Sequence, residues 1–242
     1  NANTTGQYNT AVGNEALTAN TTASYNTALG HNSLGSNTTG ERNTAIGSNA
    51  LDANTTAVEN VAIGYNALTA NTTGTRNVCV GNYTLEDTVT GTNNAAFGSH
   101  ALSNNTGSYN TACGDGAAAA NTSGTQNTAV GAFAFDANTT GNYNVAVGYN
   151  ALTTNTTAER NTAIGQSALK LNTTGGYNTA VGQGALNDNT TGDYNVAVGQ
   201  GALDNNTTAD HNTGLGYQAL GANTTGQWNT AVGSKSLDAN TD

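Results

Sequence analysis

The chain has 242 residues, of which only 8% are charged; 15 acids against 5 bases leave a formal net charge of −10. Binding a phosphate backbone needs clustered Lys and Arg, so this balance excludes nucleic acid as a partner. No run approaches the ~18 consecutive apolar residues of a membrane span, and a chain that starts at Asn1 and contains no Met reads as a processed protein or a piece of a longer one.

From its first residues the sequence repeats one unit, approximately N-T-T-G-x-Y-N-T-A-V-G-x-x-A-L-x-A. A glycine closes a short apolar run at Gly13, Gly30, Gly47, Gly64, Gly81, Gly98, Gly114, Gly131, Gly148, Gly165, Gly182, Gly199, Gly216 and Gly233; every spacing is 17 except the 16 between Gly98 and Gly114. Such a period is the mark of a solenoid. It is too short for a helix pair and carries no 3.6-residue stripe. In each unit the first predicted element is a corner, Asn3-Thr4-Thr5-Gly6, made of residues that favour turns. A strand follows over Tyr8-Asn9-Thr10-Ala11-Val12, ended by a tight turn at Gly13, and a second strand is predicted over Glu15-Ala16-Leu17. The expected fold is therefore all-β: a repetitive β-solenoid or β-roll rod of fourteen 17-residue coils, one array over residues 1–242. With coils about 4.8 Å apart it would be roughly 65 Å long.

The expected core is the apolar position before the glycine, Val12, Leu29, Ile46, Ile63, Val80, Phe97, Val130, Val147, Ile164, Val181, Val198, Leu215 and Val232, joined by the Leu17 column. An asparagine occupies one column in all fourteen units: Asn9, Asn26, Asn43, Asn60, Asn77, Asn94, Asn110, Asn127, Asn144, Asn161, Asn178, Asn195, Asn212 and Asn229. In-register amides of this kind are expected to bond along the stack as a ladder. One large side chain and one Leu per coil make a thin core, since each contributes only about 1.5–3 kcal/mol when buried. That points to self-association, as a homotrimer or a filament.

The segment Asn9-Thr10-Ala11-Val12-Gly13-Asn14-Glu15-Ala16-Leu17 resembles the head repeats of YadA-like trimeric autotransporter adhesins. It is similar also to the N-T-A-[VI]-G-x-x-A-L arrays of bacterial surface proteins and phage tail fibres. The resemblance covers nearly the whole chain, although the unit is longer here, with the additional residues at the Asn-Thr-Thr-Gly corner. It implies an extracellular homotrimeric fibre, on a cell surface or a virion, that binds a host or matrix glycan or protein.

The residue before the invariant Asn varies widely in type, which marks an exposed column. Its aromatic members, Tyr8, Tyr25, Tyr109, Tyr143, Tyr177, Tyr194 and Trp228, either form a binding stripe or shield the edges of neighbouring strands. The corner asparagines Asn3, Asn20, Asn37, Asn54, Asn71, Asn121, Asn138, Asn155, Asn172, Asn189, Asn206 and Asn223 each begin an N-x-[ST] triplet and are candidates for glycosylation. Chemistry is otherwise sparse. His31, His100 and His211 fall in different units, no catalytic or phosphate-binding motif is present, and no cofactor or metal is expected. Cys79 and Cys113 lie two coils apart in adjacent columns, too far for a disulfide. The sequence thus reads as a structural fibre or surface-adhesin segment and not as an enzyme. An ice-binding or glycan-binding solenoid is the alternative, with Thr4 and Thr5 of the corner as the threonines that would order water.

Overall fold

The computed structural model describes residues 3–241. The chain divides into two compact units, Asn1–Ser123 and Gly124–Asp242. Both are all-β and are built from one short strand per coil. The strands of the first unit are β1 (Thr10–Val12), β2 (Thr27–Leu29), β3 (Thr44–Ile46), β4 (Val61–Ile63), β5 (Val78–Val80), β6 (Ala95–Phe97) and β7 (Thr111–Cys113). The second unit holds β8 (Thr128–Val130), β9 (Val145–Val147), β10 (Thr162–Ile164), β11 (Thr179–Val181), β12 (Val196–Val198), β13 (Thr213–Leu215) and β14 (Thr230–Val232).

Within each unit consecutive strands pair in parallel and in strict register, Thr10 opposite Thr27 and Val12 opposite Leu29 in the first, Thr162 opposite Thr179 in the second. Each unit is therefore a parallel β-solenoid in which equivalent residues of successive coils stack. The 16-residue coil keeps this register, with Ala95 opposite Thr111. Its missing residue is absorbed at the corner, where Asn105-Thr106-Gly107 replaces the usual Asn-Thr-Thr-Gly.

The second predicted strand does not form. Glu15-Ala16-Leu17 lies in consecutive turns, in which the Ala16 N–H donates to Gly13 O (3.5 Å) and the Asn20 N–H to Leu17 O (3.3 Å). Glu15 and Leu17 take left-handed φ values of 61° and 50°, and a chain that alternates in this way cannot pleat. It still bonds to the next coil, since the Leu17 N–H donates to Ser33 O at 3.0 Å. The same two positions are left-handed in every coil, as is the residue before the invariant Asn, Tyr8 in the first.

The predicted core is corrected as well. In a three-residue strand the first and third side chains share a face, and that face points outward. Val12, Leu29, Phe97, Val130, Ile164, Val198 and Val232 are exposed, Val12 by 55%, while Ile46, Ile63, Val80, Val147, Val181 and Leu215 are half-buried. The inward residue is the small one between them, Ala28, Ala45, Ala62 and their equivalents, buried in every coil after the first, where Ala11 is exposed. Gly214 shows why it is small: a Cβ added there would stand 2.9 Å from Ala219 O and 3.4 Å from Leu203 Cγ. The large interior residue is the Leu17 column, Leu34 through Leu220, with Phe135 in one coil and the smaller Ala118 in another. The closing glycine is required by stacking, since at Gly47 (φ 135°) a Cβ would meet Gly64 O at 2.3 Å.

Candidate functional site

Two asparagine columns share the interior with alanine and leucine. The invariant column acts as a clamp between coils. Asn26 Oδ1 accepts the Asn43 backbone N–H at 2.9 Å, and Asn26 Nδ2 donates to Gly40 O at 2.8 Å. The second unit repeats this, with Asn178 Oδ1 accepting from Asn195 N–H (2.9 Å) and Asn178 Nδ2 reaching Gly192 O (2.7 Å). Some members add an amide-to-amide bond, as Asn94 Nδ2 does to Asn77 Oδ1 at 3.1 Å.

An amide ladder runs along the corner column on either side of Thr88. Asn37 Nδ2 donates to Asn20 Oδ1 (3.1 Å) and to Gly40 O (3.0 Å), and Asn172 Nδ2 to Asn155 Oδ1 (3.1 Å) and Gly175 O (2.9 Å). Thr88 stands in this column in one coil and donates to Asn105 O at 2.6 Å. Every buried side-chain nitrogen and oxygen among the described residues has a partner, as a polar interior requires.

This ladder corrects the glycosylation reading. Asn20, Asn37, Asn54, Asn71, Asn121, Asn138, Asn155, Asn172, Asn189, Asn206 and Asn223 are buried, and an N-linked glycan would have to be carried on the Nδ2 that joins the coils. Only Asn3 of the twelve is exposed. Three further Asn-x-Thr triplets, at Asn82, Asn104 and Asn205, are on exposed positions. The pattern alone marks them, but they fall outside the corner column and the repeat hides them. The corner threonines divide likewise. Thr38 Oγ1 donates to Thr55 O (3.0 Å) and Thr173 Oγ1 to Thr190 O (2.9 Å), whereas the following Thr39 and Thr174 are exposed. Thr4 hydroxyls are therefore engaged with backbone and form no free water-ordering row.

The variable column before the invariant Asn is exposed, and its members pair with one another along the stack. Tyr8 and Tyr25 stack at 5.0 Å. Glu59 lies between Arg42 (3.4 Å) and Arg76 (2.9 Å). In the second unit Arg160 lies over Tyr143 and Tyr177, at 5.4 and 5.2 Å from the ring centroids. The run continues through Tyr177–Tyr194 (4.9 Å), Tyr194–His211 (5.0 Å) and His211–Trp228 (3.9 Å), all near parallel. In such a stack each ring covers its neighbour's face and offers solvent mainly an edge. A sugar that packs on an aromatic face finds one open only at the end of the run, where Trp228 is stacked on a single side.

On the outward strand face, the Thr10 and Val12 columns contain Thr, Val, Ala, Ile, Leu, Phe and Cys and no charged residue in either unit. Cys113 is exposed in this face, while Cys79 is buried in the alanine column, where burial pushes its thiol far above the ordinary range; both are free. No group of three His, Cys, Asp or Glu among the described residues is arranged to hold a metal ion. No helix there is long and apolar enough to cross a membrane.

Compared with known proteins, the chain matches no family model, no curated protein and no solved structure. The parallel solenoid is consistent with the folds of adhesins and fibres in general.

Proposed function

We propose that the chain is a structural segment of an extracellular fibre or surface adhesin, whose copies associate through the outward strand faces. The observation that carries this reading is the use made of the invariant residues. The asparagine clamp, the corner ladder and the closing glycine all bind coil to coil, and none presents a reactive group to solvent. A repeat whose sameness is devoted to stacking serves reach and stiffness. The uncharged strand face supports self-association, because its row of exposed and half-buried Val, Ile, Leu and Phe beside a row rich in threonine has no charge to keep it in water.

Light scattering and negative-stain microscopy test the proposal together. Wild-type chain is expected as a multiple of 24.2 kDa, and a Val147→Asp/Val181→Asp/Leu215→Asp variant, charged on the outward face only, is expected to fall to the mass of one chain. A wild-type protein that stays at one chain mass at high micromolar concentration rejects the association. Antibodies that label only the interior of permeabilised source cells reject the extracellular placement.

A further inference from the structure

The second unit carries a surface groove. The left-handed turn position held by Glu15, Asn32, Asn49, Asn66 and Asn150 in other coils is glycine in two successive coils, Gly184 and Gly201, each at φ 64°. Two missing side chains in register leave a depression of ≈ 210 Å³ lined by Gln183, Gln200, Gln218, Asp204 and Tyr217. This is smaller than a site for a drug-sized ligand, which begins near ~300 Å³, and matches one compact polar ring.

The walls have complementary chemistry. Asp204 Oδ1 lies 4.0 Å from the point that a Cβ on Gly184 would occupy, so the carboxylate faces the space the glycine opens. Among the described residues its side chain makes no hydrogen bond. It is partly buried, and desolvation, followed by the charge of Asp188, raises its pKa. Gln200 Nε2 makes one long bond to Gln183 Oε1, 3.4 Å, which leaves the Gln183 amide N–H groups and the Gln200 carbonyl oxygen for another partner. Tyr217 differs from the tyrosines of the stacked column: no other ring lies against it, and it is 45% exposed. Its coil neighbours in the same column are Gln200 and Ser234.

We propose that the groove over Gly184 and Gly201 binds one uncharged pyranose unit of a glycan. The C–H face of the sugar packs on the open Tyr217 ring, as amphipathic aromatics allow. Vicinal hydroxyls donate to the Asp204 carboxylate, a charge-assisted bond that is stronger than a neutral one, and accept from the glutamine amides. Asp188 and Asp204 disfavour sugars that bear a carboxylate. The open side of the groove admits either a free monosaccharide or the terminal unit of a longer chain.

Saturation-transfer NMR on the full chain with methyl glycosides of glucose, galactose, mannose and N-acetylglucosamine tests this. At least one is expected to bind with a Kd on the order of 1 mM. Filling the groove with Gly184→Asn/Gly201→Asn is expected to weaken binding at least tenfold with an unchanged melting temperature, because Asn49, Asn66 and Asn150 occupy the same left-handed position. Tyr217→Ser, a residue present at this position in Ser48, Ser99 and Ser234, is expected to weaken it as much, and decides the matter if the asparagine variant fails to fold. Oligosaccharides ending in the preferred unit bind at least as tightly if a glycan is the source, and more weakly if the free sugar is. No transfer from any glycoside, or equal transfer in wild type and Tyr217→Ser, overturns the proposal. Light scattering of the same samples reports separately on the fibre reading, which does not depend on the groove.

Discussion

Asn172 donates its one side-chain amide to two acceptors that belong to different coils, Asn155 Oδ1 at 3.1 Å and Gly175 O at 2.9 Å. Its own Oδ1 accepts from Asn189 at 2.8 Å. The corner of each coil is therefore both folded and joined to its neighbours by the same side chain. Replacing Asn172 with Asp removes both donors and puts an unpaired charge in a buried site, a loss of at least ~3 kcal/mol. Thermal melting of the variant within a degree of wild type would contradict the ladder.

The same burial makes a chemical prediction about the source protein. Peptide mapping of natively produced chain should find the eleven buried corner asparagines bare. Any N-linked glycan is expected on Asn3, Asn82, Asn104 or Asn205, which are exposed. A glycan on Asn37 or Asn172 in folded protein would show that the corner does not pack as described.

Ile63 and Leu68 separate the two apolar columns. Ile63 is half-buried on the outward face and Leu68 is fully buried. Leu68→Asp is expected to cost at least ~4 kcal/mol, as a charge placed in a core without a partner does, whereas Ile63→Asp should cost less than ~1 kcal/mol in the single chain. Measured by denaturant unfolding at low protein concentration, equal losses would return the outward column to the core.

The left-handed turn explains a preference that hydrophobicity alone does not. Leu169 sits at φ 50°, a region in which β-branched residues are strained. Leu169→Ile keeps the atoms and moves the branch, and is expected to destabilise by about 1–3 kcal/mol. Val181→Ile on the strand face is expected to stay within ~0.5 kcal/mol.

Acid should stabilise the fold. Burial raises the pKa of Asp52, Asp136 and Asp204 from 3.8. A carboxyl raised in the folded state favours folding while it is protonated, below the unfolded value, and that contribution is lost as pH rises through the folded value. The melting temperature should therefore be higher at pH ~4 than at pH ~7, and the Asp52→Asn/Asp136→Asn/Asp204→Asn variant should show a flatter profile. A slope identical in the variant would place the effect elsewhere.

Much of this architecture was legible in the order of the residues. A fixed 17-residue period, an unbroken asparagine column and a closing glycine require stacked, in-register coils, because only equivalent surroundings keep the same residue in every copy. The Thr-Ala-Val strand was legible for the same reason. The sequence also carries a signal of left-handed backbone. Val and Ile abound at Val12 and its equivalents but never occur at Leu17, Glu15, Tyr8 or their equivalents, as left-handed backbone demands. Such backbone makes turns and not a second strand.

Tertiary structure alone decided which face looked inward. Alternation tells that Thr10 and Val12 share a side, but not which side, and hydrophobicity favoured the wrong one. The coil is so narrow that a methyl added at Gly214 would already stand 2.9 Å from the Ala219 carbonyl and 3.4 Å from Leu203 Cγ, so small residues go in and valine goes out. The same geometry buried the corner asparagines, which composition marks as surface. It also turned two ordinary glycines, Gly184 and Gly201, into a groove, because a missing side chain becomes a cavity only when the coil beneath it lacks one too.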